Sequence, residues 1–307
     1  VDSSKPNRVR WDVDFRGRTG RTKRIARQIR EASPGIVELW IEGEKGIAEL
    51  PGIFTEIHRC NPRMVATVRL FPGAIAAAQR GYPMDFIWEV DAHEPFRRLL
   101  PPGAAAISFT PDEDTLTHLP DVLEEFAGSD VRELHLPNVS AVRALEELGH
   151  VALPQPGHLQ DAAEALSRLP VSLGGKKLVV HDFLLWKVLR AVFPEDAGGK
   201  VEFAECRAAS AHAYVDWEGN VYPCSSLPIR LGTLHERTFE KIWRAPSRMQ
   251  ILDAIRAIPD ACGPCEQAAG CLSVCRGLFR DVPGSPDAPR QSVADRPAVA
   301  PGRNFDL

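Results

Sequence analysis

Residues 8–41, RVRWDVDFRGRTGRTKRIARQIREASPGIVELWI, set the reading of the chain. The stretch 8–15 (RVRWDVDF) is short and carries β-branched and aromatic residues, as does 35–41 (GIVELWI). Both read as strands. Between them, 22–32 (TKRIARQIREA) repeats apolar residues at helical spacing. A strand, an amphipathic helix and a second strand form the unit that joins two parallel strands through a crossover.

The same alternation continues outward. Strand-like runs recur at 64–71 (MVATVRLF), 84–91 (MDFIWEVD), 104–110 (AAAISFT) and 131–137 (VRELHLP). Amphipathic stretches lie at 116–127 (LTHLPDVLEEFA) and 141–149 (AVRALEELG). Six such units without a sign of closure predict an α/β fold, an open or partial (β/α) barrel, with ligands received at the C-terminal ends of its strands. Beyond turn signals at 152–160 come a helix (DAAEALSRL), a strand at 176–180 (KKLVV) and an apolar helix (FLLWKVLRAVF). AGGK at 197–200 reads as a hinge. The expected division is a barrel over 1–200, a cysteine-rich module over 201–280 and an extended tail over 281–307, which carries five prolines.

Composition excludes several classes. Hydrophobic residues are 44% and charged residues 25% of 307, enough to bury a core. A net charge of −4 gives no basic field, so nucleic acid is not an expected partner. No apolar run approaches the roughly 18–20 residues that span a bilayer. The polar start, VDSSKPNRVRWDVD, has no signal-peptide character, and the expected location is cytoplasmic.

Six of the seven cysteines fall in the last third: Cys206, Cys224, Cys262, Cys265, Cys271 and Cys275. In a reducing compartment such clustering points to metal or redox chemistry. HAYVDW and VYP read as strands joined at EGN, a hairpin able to bring Cys206 and Cys224 toward one site. Downstream, CGPCEQAAGCLSVC spaces four thiols as Cys-x2-Cys-x5-Cys-x3-Cys. A structural zinc uses the same soft donors, so spacing alone leaves zinc and iron open. Six thiols exceed one tetrahedral site, which tilts the reading toward clusters.

The pattern Cys206-x12-Gly219-x4-Cys224, the linker LGTLHERTFEKIWRAP (231–246) and the ending GCLSVCRG resemble the SPASM domain of radical SAM peptide-maturation enzymes. The resemblance covers about 75 residues. It implies one or two [4Fe–4S] clusters, with Cys206, Cys224 and Cys275 at the first and Cys262, Cys265 and Cys271 at the second. No cysteine follows Cys275, where the family supplies a seventh. Each implied cluster thus has three thiolates, the fourth place falling to Asp281, Asp287, a water or a partner's group, and a single cluster is equally consistent.

The front half resembles the radical SAM partial barrel, with one departure. Active members hold their radical-generating cluster through Cys-x3-Cys-x2-Cys in the loop after the first strand. Here that loop is RGRTGRTKR, and no Arg, Thr or Gly replaces a thiolate on iron. Cys60 is too far along to rebuild it. Self-sufficient radical SAM chemistry is therefore not expected, nor S-adenosylmethionine as a cofactor. Glu42, Gly43 and Glu44 keep a trace of the family's Gly-Gly-Glu motif, and read from the residues alone they are an exposed acidic loop. The chain is most similar to the SPASM-domain proteins of GeoRSP peptide-modification systems. That resemblance implies an accessory role in the maturation of ribosomally made peptides, beside an active radical SAM/SPASM maturase, a precursor peptide and its peptide chaperone. The competing expectation is a zinc-stabilised peptide-binding module without redox function. A non-radical enzyme using the barrel, with the basic loop as its anion site, is a third.

Other candidates weigh less. Arg16, Arg18, Arg21, Lys23 and Arg24 stand at a strand end and helix start, where anions bind, although a solvated basic loop is the plainer reading. His181 and Asp182 are adjacent, and Asp182 suits a helix cap. His212 is a candidate substitute cluster ligand, though a hairpin position favours simple exposure. His235 reads as a surface residue.

Overall fold

The computed structural model describes residues 5–13, 19–70, 74–75, 82–91, 95–151, 154, 156–168, 172–181, 185, 188–189, 192–193, 200–203 and 206–256. Cys262, Cys265, Cys271, Cys275, Asp182, Asp281 and Asp287 lie outside these, as do most of the apolar helix expected over 183–193 and the tail expected over 281–307.

Among the described residues, eleven strands form one sheet in the order β11-β10-β9-β1-β2-β3-β4-β5-β6-β7-β8. The first eight are β1 (Arg8–Asp12), β2 (Ile36–Ile41), β3 (Arg63–Arg69), β4 (Asp85–Glu89), β5 (Ala106–Ser108), β6 (Glu133–Leu136), β7 (Lys177–Val180) and β8 (Lys200–Phe203). Each pairs in parallel with its sequence neighbours. Sequential order with uniform direction is the winding of a (β/α) barrel rather than of a doubly wound sheet. The barrel stays open. The free edge of β1 takes β9 (His212–Val215), also parallel, followed by antiparallel β10 (Asn220–Tyr222) and β11 (Gly232–Thr233). The expected strands are all present. The structure adds β8, which begins at Lys200 within the AGGK stretch read as a hinge.

The helices follow the pattern of their buried residues. They are α1 (Thr19–Ala32), α2 (Gly43–Ile57), α3 (Leu119–Ala127), α4 (Ala141–Leu148), α5 (Pro156–Ser167), α6 (Phe239–Trp243) and α7 (Pro246–Arg256). In α1, Ile25, Ala26, Ile29 and Ala32 are buried at helical spacing; in α3, Leu119, Val122, Leu123 and Phe126 are. α4 starts at Ser140, whose side chain accepts the Arg143 N–H, and stops at Gly149 with φ 73°. α2 was not visible in the sequence, because Gly43, Gly46, Pro51 and Gly52 interrupt its pattern.

Strand alternation divides the sheet into two unlike faces. Val9, Trp11, Val37, Leu39, Ile41, Met64, Ala66, Val68, Ile107, Leu134 and Leu178 are buried with the helix residues in one continuous core. Their neighbours in sequence, Arg8, Arg10, Asp12, Glu38, Trp40, Thr67, Glu89, Ser108 and His135, occupy the opposite face. A parallel sheet usually buries apolar residues on both faces. Here the inner one mixes Val65, Ile87, Ala106 and Val179 with these polar residues, and its polar part places the candidate site.

Candidate site at the strand ends and the cysteine hairpin

Asp12 ends β1 and is 5% exposed. Its Oδ2 accepts the Tyr214 hydroxyl of β9 at 2.6 Å, and Arg143 Nε of α4 stands 3.8 Å from the same oxygen. Arg10 Nε lies 3.8 Å from Oδ1. Burial raises the Asp12 pKa, while Arg10, Arg143 and the Tyr214 hydrogen bond pull it back. Tyr214 is held well above its ordinary value by burial and then by Asp12, so it stays a neutral donor.

Arg143 is the hub of this group. Its Nη2 donates to Glu42 Oε2 at 2.6 Å and lies 3.6 Å from Glu147 Oε1. Burial opposes its charge, but Asp12, Glu42 and Glu147 outweigh that and hold its pKa up. Trp40 of β2 lies under two guanidinium groups, Arg10 at 4.8 Å and Arg143 at 5.4 Å from the ring centroid. Glu42 also accepts from Arg69 Nη1 at 3.0 Å. Glu42 is thus half-buried between two arginines at the start of α2, whereas Glu44 is exposed. The exposed acidic loop expected there holds for Glu44 and not for Glu42.

The network closes one side of a small cleft open to solvent, whose lining includes Asp12, Trp40, Arg143, Glu146, Glu147 and Trp217. Trp217 Nε1 donates to Glu146 Oε2 at 3.2 Å. The Glu146 pKa is raised to about 7, first by burial and then by Asp216. Sequence reasoning missed Asp12, Arg143, Glu146, Tyr214 and Trp217. The available signal was the charge on alternate positions of RVRWD.

The hairpin expected around EGN is present. Asp216 makes it rigid: Oδ1 accepts the N–H groups of Glu218 at 2.9 Å and Asn220 at 2.8 Å, and Oδ2 accepts from Asn220 Nδ2 at 2.8 Å and the Tyr222 hydroxyl at 3.3 Å. Gly219 takes φ 89° at the turn. Tyr222 packs on Tyr214 with ring centroids 5.8 Å apart, linking the hairpin to Asp12.

Cys206 and Cys224 flank this hairpin. The Ala209 N–H donates to the Pro223 carbonyl at 3.4 Å, so the two cysteine-bearing segments run side by side. Cys206 is exposed and Cys224 half-buried, and neither is in a disulfide. Arg248 of α7, 4% exposed, fixes the segment. Its Nη1 donates to the Ala209 carbonyl at 2.6 Å, its Nε donates to the Trp243 carbonyl, and its guanidinium covers the Trp243 ring at 4.8 Å. Among the described residues no three His, Cys, Asp or Glu side chains gather as a metal site. One exposed and one half-buried thiol on a braced edge nevertheless suit a thiolate-ligated cluster completed by cysteines further along the chain.

The remaining candidates separate. Cys60 ends the 3-10 turn His58–Cys60 just before β3, hence at the N-terminal end of the parallel strands, opposite Asp12. Its thiol donates to the Ile57 carbonyl at 3.2 Å, and burial pushes its pKa up. His181 and His212 hold pKa values of about 4 and about 3, each lowered first by burial. His212 opens β9 beside Arg8, and its Nε2 is buried without a hydrogen bond, so it is not the exposed hairpin residue expected. His235 is exposed, with Nε2 2.7 Å from the Glu218 carbonyl. In the basic stretch, Arg21 lies over Trp217 of the hairpin at 5.6 Å, and Arg24 donates to the His235 carbonyl, just after β11, at 2.7 Å.

Comparison with known proteins bears on both halves. Residues 206–267 match SPASM, an iron–sulfur cluster-binding domain. The matched segment is of the SPASM type. No curated protein sequence matches the chain. A solved structure described as native anSMEcpe with bound AdoMet is similar with a TM-score of 0.52 over 89% of this chain and 92% of that one, at 10% identity. At that identity the likeness is one of fold. The chain therefore combines an open parallel (β/α) barrel, similar in fold to that structure, with a segment that matches the SPASM domain, and the segment's β9 continues the barrel sheet. No helix among the described residues is long and apolar enough to cross a membrane.

Proposed function

We propose that this chain is an iron–sulfur-binding SPASM protein that assists a separate radical SAM enzyme in modifying a ribosomally made peptide, as scaffold, peptide holder or electron relay. One contrast carries the reading. Six cysteines lie along 206–275, four of them inside the segment that matches SPASM, whereas no cysteine lies between Asp12 and Cys60. Cys60 sits at the wrong end of the sheet to serve the loop after β1. A cluster that activates S-adenosylmethionine has no thiolates to hold it there.

The cluster or clusters are assigned to Cys206, Cys224, Cys262, Cys265, Cys271 and Cys275. When bound, such a centre supplies one-electron transfer at a potential set by its ligands and solvation. The chain's own contribution is positional. Arg248 and the Asp216 turn hold the thiol-bearing edge, and Tyr222 and Tyr214 couple that edge to the strand-end cleft. The partners assigned are a radical SAM/SPASM maturase and a precursor peptide or its chaperone, of the GeoRSP kind, in the cytoplasm. The experiment is reconstitution under reducing, oxygen-free conditions with S-adenosylmethionine. The chain alone yields no 5′-deoxyadenosine, and adding it to the maturase and peptide raises product. Release of 5′-deoxyadenosine by the chain alone, or product formation indifferent to it, contradicts the proposal.

A further inference from the structure

The strand-end cleft contains a buried acceptor that the protein does not use. Asp12 is 5% exposed and lines the cleft, yet its Oδ1 accepts no hydrogen bond, Arg10 Nε remaining 3.8 Å away. A buried carboxylate oxygen left without a donor is costly, and a native site that keeps one is suited to a donor from outside. The lining adds Glu42, Glu146 and Glu147 against one guanidinium, Arg143, which is shared among Asp12, Glu42 and Glu147. With Arg10 beside Asp12 and Arg69 beside Glu42, four carboxylates face three guanidinium groups, so the surplus is negative and falls on the rim carboxylates of α4. The indole of Trp217 also borders the cleft.

We propose that this cleft binds a primary ammonium group, the lysine side chain of a peptide. Three tetrahedrally disposed N–H donors suit acceptors arranged around a small space, namely Asp12 Oδ1 at the base and Glu146 and Glu147 at the rim. A guanidinium spreads its donors in a plane and needs a flat, bidentate partner. The aromatic wall covers the aliphatic stem. The inference rests on the peptide-handling reading above and adds which side chain is gripped. Glu146 governs its pH dependence. The charged groups facing it are Asp12 of β1, Glu42 after β2, Asp216 and Glu218 of the hairpin, and Arg143 and Glu147 of its own helix, with Arg21 of α1 3.9 Å from Glu218.

The test is calorimetric titration of the full chain at pH 8 with Nα-acetyl-lysine N-methylamide, its norleucine and arginine counterparts, and S-adenosylmethionine, which also bears an ammonium group. The lysine probe is expected to bind at least about tenfold more tightly than the other three. Glu146→Gln, at the rim and outside the core, is expected to weaken it about tenfold, as is lowering the pH from 8 to 6. Equal affinity for lysine and norleucine, preference for arginine or S-adenosylmethionine, or an unchanged affinity in Glu146→Gln overturns the proposal. Iron is measured on the same samples. Full iron without lysine binding removes this inference alone, and lysine binding without iron removes the iron–sulfur reading alone.

Discussion

Arg143 shows most plainly how single residues hold the strand ends together. It satisfies Glu42 and Asp12, charges contributed by two strand ends, from a helix 101 positions along the chain from Glu42. Arg143→Ala leaves a buried carboxylate short of its cation, and we expect a loss of about 2–4 kcal/mol in urea unfolding. Arg143→Lys is expected to recover less than half, because an ammonium cannot fork between Glu42 and Asp12. A shift within about 0.5 kcal/mol for Arg143→Ala contradicts the role given to it. None of this was legible in the sequence. Asp12 and Tyr214 are 202 residues apart, and nothing local to RVRWD names a partner. The six cysteines were legible because thiols are rare and their spacing is itself the signal.

At the scale of elements, the β9–β10 hairpin is flanked by Cys206 and Cys224 and depends on its turn. Gly219 has φ 89°, and a Cβ there would meet Ile25 side-chain atoms at 3.3 Å. Gly219→Ala therefore strains the backbone and presses on α1, at a cost of about 1–2 kcal/mol in chemical unfolding. No loss of stability would show that the turn tolerates another conformation. The strands from β1 to β7 could be read because apolar residues alternate under a helical layer. β8 could not, because its four residues, KVEF, are too short a run to outweigh the turn signal of the two glycines just before them. The EGN hairpin was read from its turn chemistry, but its parallel pairing with β1 was not, since register between distant strands leaves no local trace.

At the scale of the molecule, the polar part of the inner face makes stability sensitive to pH. His181 and His212, with pKa values of about 4 and about 3 against an ordinary 6.5, stay neutral when folded. Below pH 6.5 the unfolded chain takes protons that the folded chain refuses, so their stabilisation is complete above 6.5 and drains as pH falls. Glu146, raised to about 7, runs the other way: its contribution is present in acid and lost as pH rises through 7. Burial raises Asp12, Glu89 and Asp216 in the same sense as Glu146, so the histidine effect is read as a difference. Thermal unfolding of His212→Gln relative to the parent is expected to improve steadily from pH 7 to pH 5. A difference that does not change with pH contradicts a neutral buried His212.

The open barrel, the polar face and the hairpin serve the functional account only if the thiol-bearing edge holds inorganic iron and sulfide. The direct measurement is iron and acid-labile sulfide in the full chain purified without oxygen. The account predicts about four of each per chain for one cluster, or about eight for two. Stoichiometric zinc with no labile sulfide would contradict it.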